Sequence, residues 1–320
     1  MREFPKFHTK PFETDDERRR AASLPNATRQ EMVTNLLVMD EQFDQVMDFI
    51  ANRFHRPVDG GRHASGWIGG IIGESRTGKS WMAQYYASQH PHVLGDHGYS
   101  CPVIYVEARE DWDRIEFSKQ IFLETGASAV PRLTLASMNT TVTRRLTQVH
   151  GQLLIVDDSQ FLFETTPAKA ATNRSLIHHV ANQRQCNILL IGTEGVEFAI
   201  RSNDHLRNRG DFPAPIRLTS FDPKTPDGRE AARTFLYEVE ALLPFAVPSL
   251  LHRKEYVDDF LQASGGSRGR MMNFIVPAGC MAINEGSPCI QARHLRIACA
   301  DRNPYGKDRV PFSQFEDGEN

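Results

Sequence analysis

Gly73-Glu74-Ser75-Arg76-Thr77-Gly78-Lys79-Ser80 is the stretch whose reading decides the fold. It fits G-x-x-x-x-G-K-[ST], the phosphate-cradling loop. The apolar run Trp67-Ile68-Gly69-Gly70-Ile71-Ile72 precedes it and predicts a buried strand, and Trp81-Met82-Ala83-Gln84-Tyr85-Tyr86-Ala87 follows and predicts a helix. The chemistry needs this order. Gly73 and Gly78 let the backbone turn so that successive N–H groups point into one anion-binding nest. The helix N-terminus adds its partial positive charge. Lys79 is placed to reach the β- and γ-phosphates of ATP, and the Ser80 hydroxyl to ligate Mg2+. The run from Gly73 to Trp81 is therefore assigned to cofactor binding.

Outward from the loop, residues 62–220 alternate strand and helix. Val103-Ile104-Tyr105-Val106-Glu107, Leu153-Leu154-Ile155-Val156-Asp157-Asp158, Asn187-Ile188-Leu189-Leu190-Ile191-Gly192-Thr193 and the short Ile216-Arg217-Leu218 predict further strands. Helical stretches are expected near 111–125 and 135–149. Continuous apolar strands alternating with helices imply an α/β fold with a parallel sheet covered on both faces. Ligands in such sheets sit at the carboxyl ends of the strands. Lys79, Asp157 and Thr193 all lie just beyond such ends. Asp157 closes an apolar strand, where a carboxylate orders a Mg2+ shell, and Asp158 beside it can polarise an attacking water. A plain turn is the other reading of the two aspartates. Thr193 either orients water and senses the γ-phosphate or is a turn residue before Gly195.

The flanks have a different texture. Residues 1–61 read as an arm followed by an amphipathic helix. The arm carries Pro5, Pro11 and the charge run Asp15-Asp16-Glu17-Arg18-Arg19-Arg20, and is expected to be extended. Met32, Leu36, Met39, Phe43, Val46, Met47 and Ile50 recur at spacings of three and four, which predicts one helix of about 25 residues packed onto the domain that follows. Pro223, Pro226 and Gly228 mark a linker. Helices are expected over 229–243, 249–263, 268–284 and 291–301, giving a helical unit at 221–302 and a mobile tail at 303–320.

Composition bounds the rest. At 320 residues the chain holds about two domains, and its 40% hydrophobic and 24% charged shares are ordinary for a globular protein. The net charge of −3 excludes a basic nucleic-acid binder overall, though 37 Lys and Arg can still build a local basic face. Five cysteines without a C-x-x-C pair predict reduced thiols in a cytoplasmic protein, and no H-E-x-x-H metal motif occurs. No apolar run is long enough to span a membrane.

The order of phosphate loop, Asp-Asp strand, Thr-ended strand, Arg-rich segment and helical bundle resembles the AAA+ ATPases. Within these the chain is most similar to the TnsC/TniB family of transposition ATPases, over about 62–300. The resemblance rests on Gly73–Ser80, Leu153–Asp158, Leu189-Leu190-Ile191-Gly192-Thr193-Glu194 and Ser264-Gly265-Gly266-Ser267-Arg268-Gly269-Arg270. It implies that Thr193 is the sensor-1 residue and that Arg209 or Arg207 is a finger reaching a neighbouring subunit's γ-phosphate. A solvated loop is the other reading of those arginines. Arg270, with Arg268 as second choice, matches sensor 2. Most AAA+ ATPases have Glu where this chain has Asp158. The shorter side chain implies weaker water polarisation, or the use of another group such as Glu194, and hence slow hydrolysis.

The resemblance further implies a regulator that forms a ring or helical filament on double-stranded DNA. It would be recruited by a TniQ/TnsD-type targeting protein and would in turn recruit a transposase. Lys119, Arg132, Arg144, Arg145, Lys169 and Arg174 lie in segments that can line a pore and touch phosphates. No helix-turn-helix or zinc finger is evident, so base-specific reading is not expected. An AAA+ remodeller of protein partners and a nucleotide-gated signalling or defence switch remain open alternatives.

Overall fold

The computed structural model describes residues 2–55, 66–95, 98–132, 134, 137–183, 186–207, 215–301 and 311–313. In chain order the elements begin with α1 (Asp15–Ala22), α2 (Asn26–Thr34) and α3 (Glu41–Phe49), which runs into a π-helical turn (Ile50–Phe54). There follow β1 (Ile68–Gly73), α4 (Lys79–Ser88), β2 (Val93–Gly95), β3 (Gly98–Ser100), β4 (Val103–Glu107), α5 (Arg114–Glu124) and α6 (Met138–Gln148). Next come β5 (Leu153–Asp157), a 3-10 turn (Ser159–Leu162), α7 (Pro167–Asn182), β6 (Asn187–Gly192), α8 (Glu194–Arg201), α9 (Asp204–Arg207) and β7 (Ile216–Leu218). Four helices end the chain: α10 (Pro226–Leu242), α11 (Lys254–Ser264), α12 (Arg268–Asn284) and α13 (Ala292–Ala300).

The chain divides into two compact units. The first contains Met1–Phe4, Asp44–Ser75 and Lys79–Leu218. Its centre is a five-stranded sheet in the order β4-β5-β6-β1-β7, and every pairing in it is parallel. This is the expected α/β class. The strands are continuous apolar runs because both faces are covered: every residue of β5 and β6 is buried. Phe117 and Ile121 of α5 and Leu176 and Val180 of α7 pack into that core. Each such side chain contributes about 1.5–3 kcal/mol of burial. A small antiparallel hairpin, β2 with β3, lies between the loop helix and β4. Its strands of three residues are too short for a periodicity to show in the sequence.

Two side chains tie the entry of this unit to the sheet. Asn187, the first residue of β6, donates from Nδ2 to Phe54 O at 2.7 Å and accepts the Trp67 N–H on Oδ1 at 2.7 Å. Phe54 in turn occupies the space above Gly69, where an added Cβ would lie 1.8 Å from the ring. β1 therefore needs a glycine here for a packing reason.

The second unit contains Pro5–Phe43, Arg76–Gly78 and Thr219–Asn320. Val33, Leu36 and Val38 share one core with Leu236 and Val239 of α10, Phe260 of α11, Ile275 of α12 and Leu295 of α13. Gly266 sits at φ +80°, and a Cβ there would lie 1.9 Å from Phe221 O. Buried charges are held by backbone. Glu240 accepts the N–H groups of Ser249 at 2.6 Å and Leu251 at 3.0 Å, and Arg29 Nε donates to Pro244 O at 3.1 Å.

The N-terminal segment departs from expectation in two ways. The charge run is a helix, α1: Thr14 and Glu17 form a capping box, acids fill the first turn and arginines the last, so the charges complement the helix dipole. The single long helix is instead α2 and α3 with an extended break between them. Leu36, Leu37 and Val38 are three consecutive buried residues, which no helix can place on one face. Here the backbone pairs with the arm: His8 N–H donates to Asn35 O at 2.8 Å and Leu37 N–H to His8 O at 3.0 Å. Asp40 Oδ1 then accepts the Phe43 N–H and restarts the helix. Of the expected stripe, Leu36 joins the helical core and Met39 is exposed, so the stripe does not pack as one surface. The C-terminal tail is also not wholly free, because Phe312 is fully buried against Tyr256 and Phe260 and its N–H donates to Asp259 Oδ2 at 2.8 Å.

Candidate nucleotide site

The parallel register puts three strand ends along one edge of the sheet. β1 ends at Gly73, β6 pairs Gly192 with Ile72, and β5 pairs Val156 with Leu190. Gly73, Thr193 and Asp157 therefore leave the sheet side by side. Gly78 has φ +98° and Arg76 φ +68°, the left-handed backbone that turns N–H groups inward. Glu74, Ser75 and Arg76 are exposed along the loop, whereas Thr77 is buried. Arg76 O accepts hydrogen bonds from Ser267 Oγ at 2.7 Å and from the Gly269 N–H at 2.8 Å. Trp81 is half-buried in the first turn of α4.

Lys79 is almost fully buried, and its Nζ donates to Gly73 O at 2.8 Å and to Glu74 O at 2.5 Å. Burial lowers its pKa, and the nearby carboxylates Asp157, Asp158 and Glu74 work against that shift. The ammonium is thus held inside the loop on carbonyls whose place a phosphate oxygen can take. Asp157 is 2% exposed. Its Oδ2 accepts the Tyr105 hydroxyl, its Oδ1 accepts the Asp158 N–H at 2.9 Å, and the Ser80 side chain also bonds to it. Burial raises its pKa, and the bonds from Tyr105 and Ser80 oppose the rise. A buried carboxylate beside a serine hydroxyl is a hard-oxygen pair that suits Mg2+. The residues present fit that ion.

Asp158 has left-handed backbone, φ 48°, and Oδ1 accepts from Gln160 Nε2 at 3.1 Å. Thr193 is the N-cap of α8, and its side chain makes no capping bond, so the hydroxyl is not used by its own helix. Glu194 is exposed and lies 3.6 Å from Arg217. The structure brings Gly73 to Ser80, Asp157, Asp158 and Thr193 together at one edge. The arginines are placed otherwise. Arg207 pairs with Asp204 one turn away at 2.5 Å, and Arg209 lies outside the described residues. Arg268 is committed to Asp40 at 3.0 Å and Thr219 O at 3.1 Å, with its guanidinium 4.1 Å above the Phe221 ring. Arg270 is exposed in the first turn of α12 and makes no ion pair among the described residues.

The basic residues expected at DNA divide in the same way. Lys119 pairs with Glu116, Arg145 donates to the Thr125 hydroxyl and carbonyl, and Lys169 donates to Asp111 O. Arg132 and Arg144 are exposed and Arg174 half-buried, and none of the three has an ion-pair partner among the described residues. Sequence reasoning missed Tyr105. A tyrosine in an apolar strand reads as core, and only the pairing of β4 with β5 brings its hydroxyl to Asp157.

The fold is that of the AAA+ P-loop proteins, and this strand edge is its candidate nucleotide site. Three solved structures share the fold. The Cdc6p protein of Pyrobaculum aerophilum aligns with TM-score 0.57 at 14% identity, over 84% of this chain and 68% of that one. The Aeropyrum pernix ORC2 protein in its ADP form gives 0.55 at 16%, over 83% and 69%. The Aeropyrum pernix ORC1 protein in complex with DNA gives 0.53 at 17%, over 83% of this chain and 65% of that one. No curated protein matches the sequence. A family model described as bacterial TniB protein matches residues 62–218, and over that segment the chain is similar to the TniB family. Among the described residues no helix is long and apolar enough to cross a membrane.

Proposed function

We propose that the protein is an ATP-dependent, DNA-binding regulator of transposition. It binds ATP with Mg2+ through the loop Gly73–Ser80 and Asp157 and hydrolyses it slowly. It assembles as a ring or filament on duplex DNA and links a TniQ/TnsD-type targeting protein to a transposase. The observation that carries the nucleotide part is that buried Lys79 lies near buried Asp157, which bonds to Ser80, at one sheet edge. Lys79 supplies positive charge to the phosphates. Asp157 and Ser80 would hold the metal, which neutralises charge building on the phosphate oxygens. Asp158 faces the role of water activation with a side chain tethered by Gln160. Arg209 or Arg207 would complete the site of a neighbouring copy, and Arg270 would report the bound state to the helical unit.

The TniB match and the DNA-bound relative in the ORC1 structure support the nucleic-acid part. Of the basic residues, Arg132, Arg144 and Arg174 are the ones left to contact phosphates without breaking an internal bond. Reduced thiols support a cytoplasmic setting, since Cys101, Cys186, Cys280, Cys289 and Cys299 form no disulfide among the described residues. The test is assembly, followed by light scattering and negative-stain microscopy. ATP with a non-specific duplex is expected to give long assemblies. Assembly that ignores DNA favours a remodeller of proteins, and a persistent monomer sinks the shared-site model. Turnover above about 10 s⁻¹, the usual enzyme median, contradicts slow hydrolysis.

A further inference from the structure

Asp157 has to offer its carboxylate to a cation while buried in a sheet, and a carboxylate can rotate about its last torsion. Three groups restrain it. One is the N–H of Asp158, its neighbour in sequence, and one is the Ser80 hydroxyl at the start of α4. The third is Tyr105 on the neighbouring strand. Register sets Tyr105 opposite Ile155 and Glu107 opposite Asp157, so the phenol reaches along the strand to Oδ2. Tyr105 is 2% exposed, and its hydroxyl donates to Asp157. Gln84 Nε2 donates to the phenol oxygen at 3.3 Å, which directs the phenol's own proton toward Asp157.

The ring itself is braced from outside. Phe4 meets it edge-on with centroids 5.8 Å apart. The Arg2 guanidinium lies 4.9 Å from the ring centroid and forms an ion pair with Glu107, the last residue of the same strand. Residues 2–4 are thus fixed to the strand that carries the phenol, and they belong to the same compact unit.

We propose that Tyr105 is a positioning residue for Asp157, holding the carboxylate in the orientation that accepts Mg2+, and that Phe4 and Arg2 hold Tyr105. This rests on the reading of Asp157 and Ser80 as the metal pair. The phenol takes Oδ2 and leaves Oδ1 to the backbone N–H, which fixes the plane of the carboxylate. When Ser80 turns its hydroxyl to a cation, Tyr105 and the Asp158 N–H are the restraints that remain. Without the phenol, the carboxylate loses a charge-assisted bond and its preferred orientation.

The experiment uses the full chain and a fluorescent ATP analogue. Its affinity is measured without metal and then as Mg2+ is added, with Mn2+ binding followed by electron paramagnetic resonance as a second readout. Y105F is expected to keep metal-free nucleotide affinity within about twofold, and to raise the Mg2+ concentration at half-effect by about tenfold or more, the range of a bond to a charged group. F4A is expected to shift that midpoint the same way by about two- to threefold, because it loosens the ring without removing the hydroxyl. A Y105F midpoint equal to wild type overturns the proposal, as does a loss of metal-free affinity, which marks general damage to the fold. An unchanged F4A midpoint overturns the brace. Two controls separate this inference from the nucleotide reading. If K79A binds nucleotide as wild type does, that reading fails. If K79A loses nucleotide and D157N loses the Mg2+ effect while Y105F keeps it, only the positioning role fails.

Discussion

Asp157 and Glu240 are both carboxylates that folding takes out of water, and burial raises the pKa of each. Their partners differ. Glu240 is held by the backbone N–H groups of Ser249 and Leu251, donors with no alternative use. Asp157 is held by one backbone N–H and two hydroxyls, and the ammonium of Lys79 stands near it on two borrowed carbonyls. Hydroxyls rotate and carbonyl contacts can be exchanged, whereas backbone donors cannot be withdrawn without unfolding the loop. The same desolvation cost therefore makes a stitch in the helical unit and a ligand-ready pair at the sheet edge.

The largest effect that tests this contrast is at Lys79. K79A is expected to reduce nucleotide affinity by about a hundredfold or more, since charge-assisted phosphate bonds are lost. Its nucleotide-free stability is expected to match or exceed wild type, because a desolvated ammonium has been removed. Equilibrium binding and a urea melt measure the two quantities. A large fall in stability would make Lys79 a stitch like Glu240 and break the comparison.

The second effect is on stability alone. E240A leaves two buried N–H groups without an acceptor, at about 1–3 kcal/mol each, so a loss of about 2–6 kcal/mol is expected in urea. Nucleotide affinity of the folded fraction is expected to stay within about twofold. A third, smaller change sharpens the account of the sheet. G69A drives a methyl into Phe54, and overpacking of this kind costs about 1–3 kcal/mol. F54L beside it is expected to restore part of that loss. Equal stability of G69A and wild type would show that the ring moves aside freely.

What was legible in the sequence follows the same division. The loop Gly73–Ser80 and the strand ending at Asp157 were readable because their constraints are local: a turn, a helix start, an apolar run with a carboxylate at its end. The four C-terminal helices were readable from periodicity. The break between α2 and α3 was not, because it depends on His8 pairing with Asn35 and Leu37, a contact made across the intervening chain. The charge run was readable as α1 by its acid-first, base-last order, and composition alone concealed it. Arg268 and Arg270 are two residues apart and alike in sequence. Only the structure distinguishes the one locked to Asp40 from the one left exposed. Tyr105 needed the strand pairing.

The smallest effect concerns which force prevails at Glu240. Its two N–H donors, with Arg18 and His252 nearby, favour the charged form, and burial favours the neutral one more strongly. The folded pKa then lies above the ordinary value of 4.5. Between the two values the folded chain holds more of a proton than the unfolded chain, so the contribution of this group is complete below 4.5 and is lost as pH rises through the raised value. Glutamine keeps one acceptor oxygen and does not titrate. The melting temperature of wild type minus that of E240Q is therefore expected to be widest in acid and to narrow as pH rises toward neutrality. His252 and Arg18 are present in both proteins and cancel in the difference. A gap that widens toward neutrality would mean that the backbone donors outweigh burial. Glu240 would then be a charge that the helical unit holds by preference, and the contrast with Asp157 would lie in partner type alone.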